Sequence, residues 1–316
     1  MGKKAAVFCH NGLGDAIISL VVSNNLHQNG WEVDTFHNGM KALQHWFPHL
    51  PTFPYPSSEK IAEMLRLYEK LIVFHNDGNE FVLKLIEVGK KEEPDRVRVI
   101  YPYPTHGIRL KPYYSDSMLD PTKSIVESLQ TFSQEMLHLP KSTKSNGIIA
   151  PLHLQFRKYR KRIVLHIASS RPGKNWPIEK YVKLALHLQA EGFEPVLIAG
   201  GPQERKEYEW LIEQDFSLPL FNDLDAVAQY IYESGYLIGN DSGLGHLASC
   251  MGVPTVTVSR RKAVARFWRP GWAPGRIVVP HFMIPNIRGL RLRDRKWQSF
   301  ISVRSVLKAF GQIREE

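Results

Sequence analysis

The chain has 316 residues, 43% of them hydrophobic, and 41 Lys and Arg against 31 Asp and Glu give a formal charge of +10. That length is more than one core usually serves, so two globular domains of ordinary size are expected. Cys9 and Cys250 are far apart and form no Cys-x-x-Cys pair, which excludes a disulfide framework and a thiolate metal site and points to a reducing compartment.

No apolar run approaches the roughly 18 residues of a membrane span. His10, Asn11 and Asp15 interrupt the opening stretch before a signal-peptide core forms, and Ala6 stands where a myristoylation motif needs Ser or Thr. A cytoplasmic protein is expected.

In chain order, "AAVFC" (5–9) reads as a buried strand, 15–30 as a helix ended by Gly30, and "WEVDTF" (31–36) as a strand, which together make a βαβ unit. A helix over 60–70, the strand 71–75, a helix near 79–89, the strand 97–101 and a helix over 122–138 follow. "LPKSTKSNG" (139–147) breaks the periodicity, so an interdomain linker is placed around 140–160. The alternation then restarts with the strand 162–168, a helix over 178–192, the strand 194–201, a helix over 203–214 and a helical segment at 226–234. The strand 236–240, a helix over 243–252, the strand 254–259 and a last helix over 300–313 complete it. This order predicts two successive doubly wound, Rossmann-like α/β domains, in which ligands bind beyond the carboxyl ends of the strands.

Four of those strand-end loops carry unusual residues. "CHNGLGDAII" (9–18) sets Gly12 and Gly14 before a helix, where a phosphate cradle is usual, yet adds Asp15, which would repel a phosphate. Asp15 therefore either caps the helix or does other chemistry. "IASSRPGKNWP" (167–177) offers the hydroxyls of Ser169 and Ser170 and a point charge on Lys174 suited to a diphosphate. "AGGPQER" (199–205) allows close backbone approach at Gly200 and Gly201, and Glu204 can accept hydrogen bonds from ribose hydroxyls. "GNDSGLGHLASCMGVPT" (239–255) places Asp241, Ser242, Gly243 and His246 at the mouth of a helix whose N–H groups can hold phosphate oxygens. Plainer roles exist for each: an N-cap for Asp241 or Ser242, a solvated acid for Glu204, an interior histidine for His246. No Asp-x-Asp pair or His cluster offers a metal site, and Pro48 between His45 and His49 spoils a helical ligand pair.

"GLGDAIISL", "SSRPGKNWPIEKYVKLALHLQAEGFEPVLIAGGPQE" and "NDSGLGHLASCMGVPTV", in that order, resemble glycosyltransferase family 9, the lipopolysaccharide heptosyltransferases. The resemblance implies the GT-B arrangement: two Rossmann-like domains facing across a cleft, with the acceptor on the first (1–150) and the nucleotide-sugar on the second (151–298). The helix over 299–316 would return to the first domain. It implies donor contacts from Ser169, Ser170, Lys174, Gly201, Glu204, Asp241, Ser242, Gly243 and His246, and Asp15 as catalytic base beside Gly12 and Gly14. It also implies inverting transfer of a sugar, a heptose from an ADP-activated donor, without metal or other cofactor. The acceptor would be an anionic glycolipid met at the inner face of the membrane.

Three basic clusters, 156–162, 259–269 and 288–296, suit an anionic membrane, a phosphorylated substrate or nucleic acid. The second and third depart from the family pattern. A nicotinamide oxidoreductase lacks support, since "GLGDAI" has no third glycine and Asp15 would face the pyrophosphate. A sugar-nucleotide epimerase of the same two-domain build and a basic nucleic-acid-binding protein stand as alternatives, and no nucleic-acid partner is expected.

Overall fold

Ala5, Ala6, Val7 and Phe8 have no solvent exposure at all, and a continuous apolar run of this kind belongs at the centre of a parallel sheet covered on both faces. The computed structural model describes residues 2–103, 107–169, 172–284 and 291–314, and the chain divides into two units, Met1–Pro151 and Leu152–Glu316. The first contains β1 (Lys4–Phe8), α1 (Leu13–Gln28), β2 (Glu32–Phe36), β3 (Thr52–Phe53), α2 (Ile61–Leu67), β4 (Lys70–Phe74), α3 (Glu80–Glu92), β5 (Val97–Ile100) and α4 (Ile125–Glu135). Its five strands are parallel in the order β3-β2-β1-β4-β5. The winding therefore reverses between β1 and β4, and a crevice for ligands opens at such a reversal.

α1 is buried without a break from Ala16 to Leu26, so it shows no amphipathic stripe. Its inward polar groups are satisfied by the segment expected to be a linker. Asn25 exchanges bonds with Thr143, Nδ2 donating to the carbonyl at 2.9 Å and Oδ1 accepting the N–H at 2.8 Å, and Asn24 donates to Ser145 O at 3.0 Å. Residues 141–145 are thus docked on the helix rather than loose, because buried amides need these partners. The two-residue β3, missing from the sequence reading, lies between Pro51 and Pro54 and is too short to show alternation. At the other edge of the sheet, the buried Asp116 accepts the Val99 N–H at 2.9 Å and pairs with Lys90 at 2.6 Å.

The second unit comprises β6 (Tyr159–His166), α5 (Ile178–Ala190), β7 (Glu194–Ile198), α6 (Pro202–Lys206), α7 (Leu224–Tyr232), β8 (Ser234–Asn240), α8 (Gly243–Cys250), β9 (Thr255–Val258), α9 (Lys262–Trp268), β10 (Gly275–Val278), α10 (Leu292–Arg295) and α11 (Val303–Arg314). Its parallel order is β10-β9-β8-β6-β7, with the reversal between β6 and β8. β10 is also new; Pro274 and Arg276 mask its strand character. The helix expected over 203–214 ends at Lys206 and gives way to a 3-10 turn over Glu209–Gln214, which buries only Leu211 and closes at Asp215 with φ +62.

The last helix is part of the second unit. α11 buries Val306, Ala309, Phe310 and Ile313, and packs on β9, β10 and α5. Phe310 meets Phe193 and Tyr236 edge-on at 5.3 and 5.0 Å, and Arg314 pairs with Glu191 at 2.9 Å. An amphipathic helix settles on the nearest apolar face that matches its stripe, and here β10 and α5 supply it. Phe310→Ala should therefore destabilise the second unit by about 3–5 kcal/mol, measured as a lower urea midpoint of its unfolding transition. An unchanged midpoint would mean that α11 does not hold that core together.

Candidate active site

In the first unit the chain leaves β1 at Phe8 and starts α1 with Gly12 as an N-cap that has no capping side chain. Leu13, Gly14 and Asp15 form the first turn. Asp15 does not cap: among the described residues its carboxylate accepts no backbone N–H, and it lies 3.1 Å from His10 Nδ1 and 3.4 Å from the Tyr103 hydroxyl, which donates to it. The His10 contact is electrostatic rather than a well-aligned hydrogen bond, since Nδ1 has no partner in hydrogen-bond geometry. A Cβ on Gly12 would lie 2.6 Å from Asp15 Oδ2, so the missing side chain leaves the space into which the carboxylate folds.

The groups around it are fixed. His37 Nδ1 accepts the Gly39 N–H at 3.0 Å, which leaves Nε2 as the protonated nitrogen, donating to Asn11 O at 3.0 Å. Burial lowers the pKa of His37 despite the nearby Asp15, and lowers that of His75 at the end of β4. Burial pushes the Cys9 thiol up to about 12, so it is no nucleophile. A hollow of about 640 Å³ opens here, lined by Asn11, His37, Asn38, Tyr55, Ser57 and Asn79 among others, with no Lys or Arg in its lining. Amides and hydroxyls of this kind suit saccharide hydroxyls.

In the second unit the loops after β6 and β8 are bound across the sheet reversal. Asn240, 1% exposed, accepts the Trp176 N–H at 2.8 Å and donates to Ile167 O at 3.1 Å. Gly239 faces β6 so closely that a Cβ would sit 2.8 Å from His166 Cβ. Ser242 is the N-cap of α8 by position, yet its hydroxyl is 2.9 Å from His166 Nδ1 and does not cap the helix. The first N–H groups of α8 therefore lack the cap that the Ser242 hydroxyl would otherwise supply.

Lys174, on the turn over Pro172–Lys174, and Asp241 share a hollow of about 400 Å³ with Ser259, Arg260, Arg261 and Trp297. Ser169 donates to Asn175 Oδ1 at 2.6 Å, and Ser170 lies outside the described residues. Gly201 and Glu204 stand at the start of α6, apart from that hollow, and Glu204 folds over Gly200, where a Cβ would lie 1.5 Å from Oε2. His246 is 5% exposed and meets Trp272 edge-on at 6.5 Å. Among the described residues no group of three or more His, Cys, Asp or Glu is placed to hold a metal ion. Sequence reasoning missed His10, Tyr103, His166 and Asn240. His10 was within the stretch read for Asp15, and a histidine ending an apolar strand marked His166.

Burial also lowers His166 to about 4. An unfolded imidazole protonates near 6.5, so between pH 6.5 and 4 the unfolded chain holds a proton that the folded one excludes. Stability is complete above this window and falls as pH drops through it, by an amount on the order of 3 kcal/mol. His166→Gln should flatten this loss in pH-dependent urea unfolding of the second unit; an unaltered slope would assign it to other groups.

The comparisons with known proteins fit this geometry. Residues 118–274 match the model of glycosyltransferase family 9 (heptosyltransferase), while no curated protein matches. Among solved structures, a family 9 glycosyltransferase from Veillonella parvula is 18% identical, with TM-score 0.70 over 99% of this chain and 98% of its own. The E. coli heptosyltransferase WaaC with ADP is 14% identical, with TM-score 0.68 over 98% and 99%. The E. coli ADP-heptose lipopolysaccharide heptosyltransferase II is 17% identical, with TM-score 0.66 over 98% of each chain. The chain is a glycosyltransferase that carries a family 9 (heptosyltransferase) domain over residues 118–274, and its two-unit fold is shared end to end with solved heptosyltransferases.

Proposed function

We propose that the protein is an inverting transferase that moves a heptose from an ADP-activated donor to a lipopolysaccharide-type, anionic glycan, with Asp15 as general base. The observation that carries this reading is the Asp15 carboxylate itself: it sits in the first turn of the helix that follows a strand, is held by His10 and Tyr103, and bonds no helix N–H. A carboxylate so placed can take the proton of an acceptor hydroxyl as that oxygen attacks the anomeric carbon, while the diphosphate leaves from the opposite face. ADP-heptose donors are named for the E. coli heptosyltransferase II, and ADP for WaaC.

On the donor side, Lys174 and the first N–H groups of α8 at Gly243 meet the leaving diphosphate, so that no metal is required. Asp241, which shares the Lys174 hollow, accepts hydrogen bonds from the sugar, and Glu204 from the ribose. Ser169, Ser170, Gly201 and His246 complete the donor contacts, while Ser242 acts through His166. Among the described residues no helix is long and apolar enough to cross a membrane. The basic cluster 156–162 then serves peripheral contact with the inner membrane face, where a lipid-linked acceptor is presented.

Two outcomes test the reading. ADP at 100 times its dissociation constant should stabilise the protein by about 2.7 kcal/mol, and Lys174→Ala should remove most of that gain in a thermal-shift assay. Asp15→Asn should fold, bind ADP as the parent does, and transfer sugar 10² to 10⁴ times more slowly, a factor on the order of what a positioned base contributes. Transfer at the parental rate would move the base elsewhere, and donor turnover without any acceptor would indicate an epimerase.

A further inference from the structure

The chemistry proposed above uses only part of the second unit's positive charge. Against the Lys174 hollow lies a second one of about 450 Å³, which shares Gly173, Arg260, Arg261 and Trp297 with the first and adds Arg291, Asp294, Arg295 and Gln298. Four guanidinium groups and a single carboxylate line it. That carboxylate is already engaged: Asp294 holds Arg261 in a two-pronged pair, Oδ2 to Nη2 at 2.8 Å and Oδ1 to Nε at 3.3 Å. Arg260, Arg291 and Arg295 have no carboxylate partner among the described residues.

The hollow is built rather than a chance gathering of surface arginines. Its back wall is Trp297, 2% exposed, whose indole donates to Gly173 O at 3.3 Å and so ties the segment carrying Arg291 and Arg295 to the turn carrying Lys174. Lys180 secures the same segment from its other end, donating to Gln298 O and Ile301 O, each at 2.7 Å. The Arg261–Asp294 pair closes the third side.

Like charges collected in a shared concavity repel one another and raise the local potential, an arrangement that favours an anion with several acceptor oxygens. The donor diphosphate is already met by Lys174 and α8. Among the described residues, the lining of the hollow near Asp15 holds no Lys or Arg to pair with an acceptor's anionic group. We infer that the arginine hollow is a second anion subsite, one that receives a phosphate or carboxylate group carried by the acceptor saccharide next to the donor. The inference rests on the transferase reading for the words "acceptor" and "donor", while the anion site itself does not.

The test uses the full chain, with glucose 6-phosphate as probe and glucose as its uncharged control, titrated with and without saturating ADP. The expected result is that glucose 6-phosphate binds equally well with ADP present, weakens as salt rises, and has an affinity at least tenfold above that of glucose. Arg291→Gln with Arg295→Gln, which line only the second hollow, should reduce that affinity at least tenfold and leave the ADP affinity within twofold; both side chains are exposed, so folding should be unaffected. Competition between the probe and ADP would show one anion site, that of the diphosphate, and overturn the inference. So would unchanged probe binding in the double variant, or a parent that binds glucose and glucose 6-phosphate alike. If the parent fails to bind ADP, the transferase reading fails, and the nucleotide-free titrations still decide whether the arginines hold an anion.

Discussion

The second unit's site depends on one buried amide. Asn240 ends β8 with almost no exposure and spends both ends of its side chain across the sheet reversal, the oxygen on Trp176 N–H and the nitrogen on the carbonyls of Ile167 and His166. Only an amide supplies acceptor and donors from one planar group. A carboxylate of the same shape would set an oxygen, in place of the amide nitrogen, against two carbonyls and bury an uncompensated charge. Because the bonded backbone belongs to the 167–176 loop, the positions of Ser169 and Lys174 follow from this contact. Trp176 adds an anchor, its indole donating to Ile301 O at 3.1 Å.

The two units use the same strand-turn-helix geometry in opposite electrical senses. At α8 the cap hydroxyl is drawn away by His166, a neutral imidazole, and the helix start keeps its attraction for an anion. At α1 the chain supplies its own anion, and Asp15 occupies the position that a bound phosphate takes elsewhere. One architecture thus leaves one helix start open to an anion and fills the other with a carboxylate, with the difference made by a few side chains in the first turn.

Much of the fold was legible in the sequence because buried parallel strands are continuous apolar runs and the helices between them are long. The elements that escaped were those where a short or irregular segment hides its pattern. Thr52–Phe53 is too brief to alternate, Gly275–Val278 carries an arginine, and 209–214 coils as 3-10 because only Leu211 reaches the core. An amphipathic stripe such as that of α11 specifies that a partner exists and not which one. Residue types at strand ends made Asp15, Lys174 and Asp241 candidates. The pairings of His10 with Asp15 and of His166 with Ser242 join different turns or strands, and local spacing carries no such information. The arginines showed in sequence only as two separate basic runs; the contact of Trp297 with Gly173 is what makes them one concavity.

The outer strands have a consequence for how the protein behaves in a crowded cell. A sheet edge with free N–H and C=O groups invites another chain to add a strand, the first step of many aggregates. β3 is two residues long between Pro51 and Pro54, and β7 carries Pro195; proline has no N–H to offer. At β5 the Val99 N–H is taken by Asp116, whose buried charge Lys90 balances, and β10 is entered from Pro274 and crowded by α11. Each of the four outer strands is shortened, interrupted or covered, so two sheets whose strands are otherwise among the most adhesive sequences in the chain remain closed to intermolecular pairing.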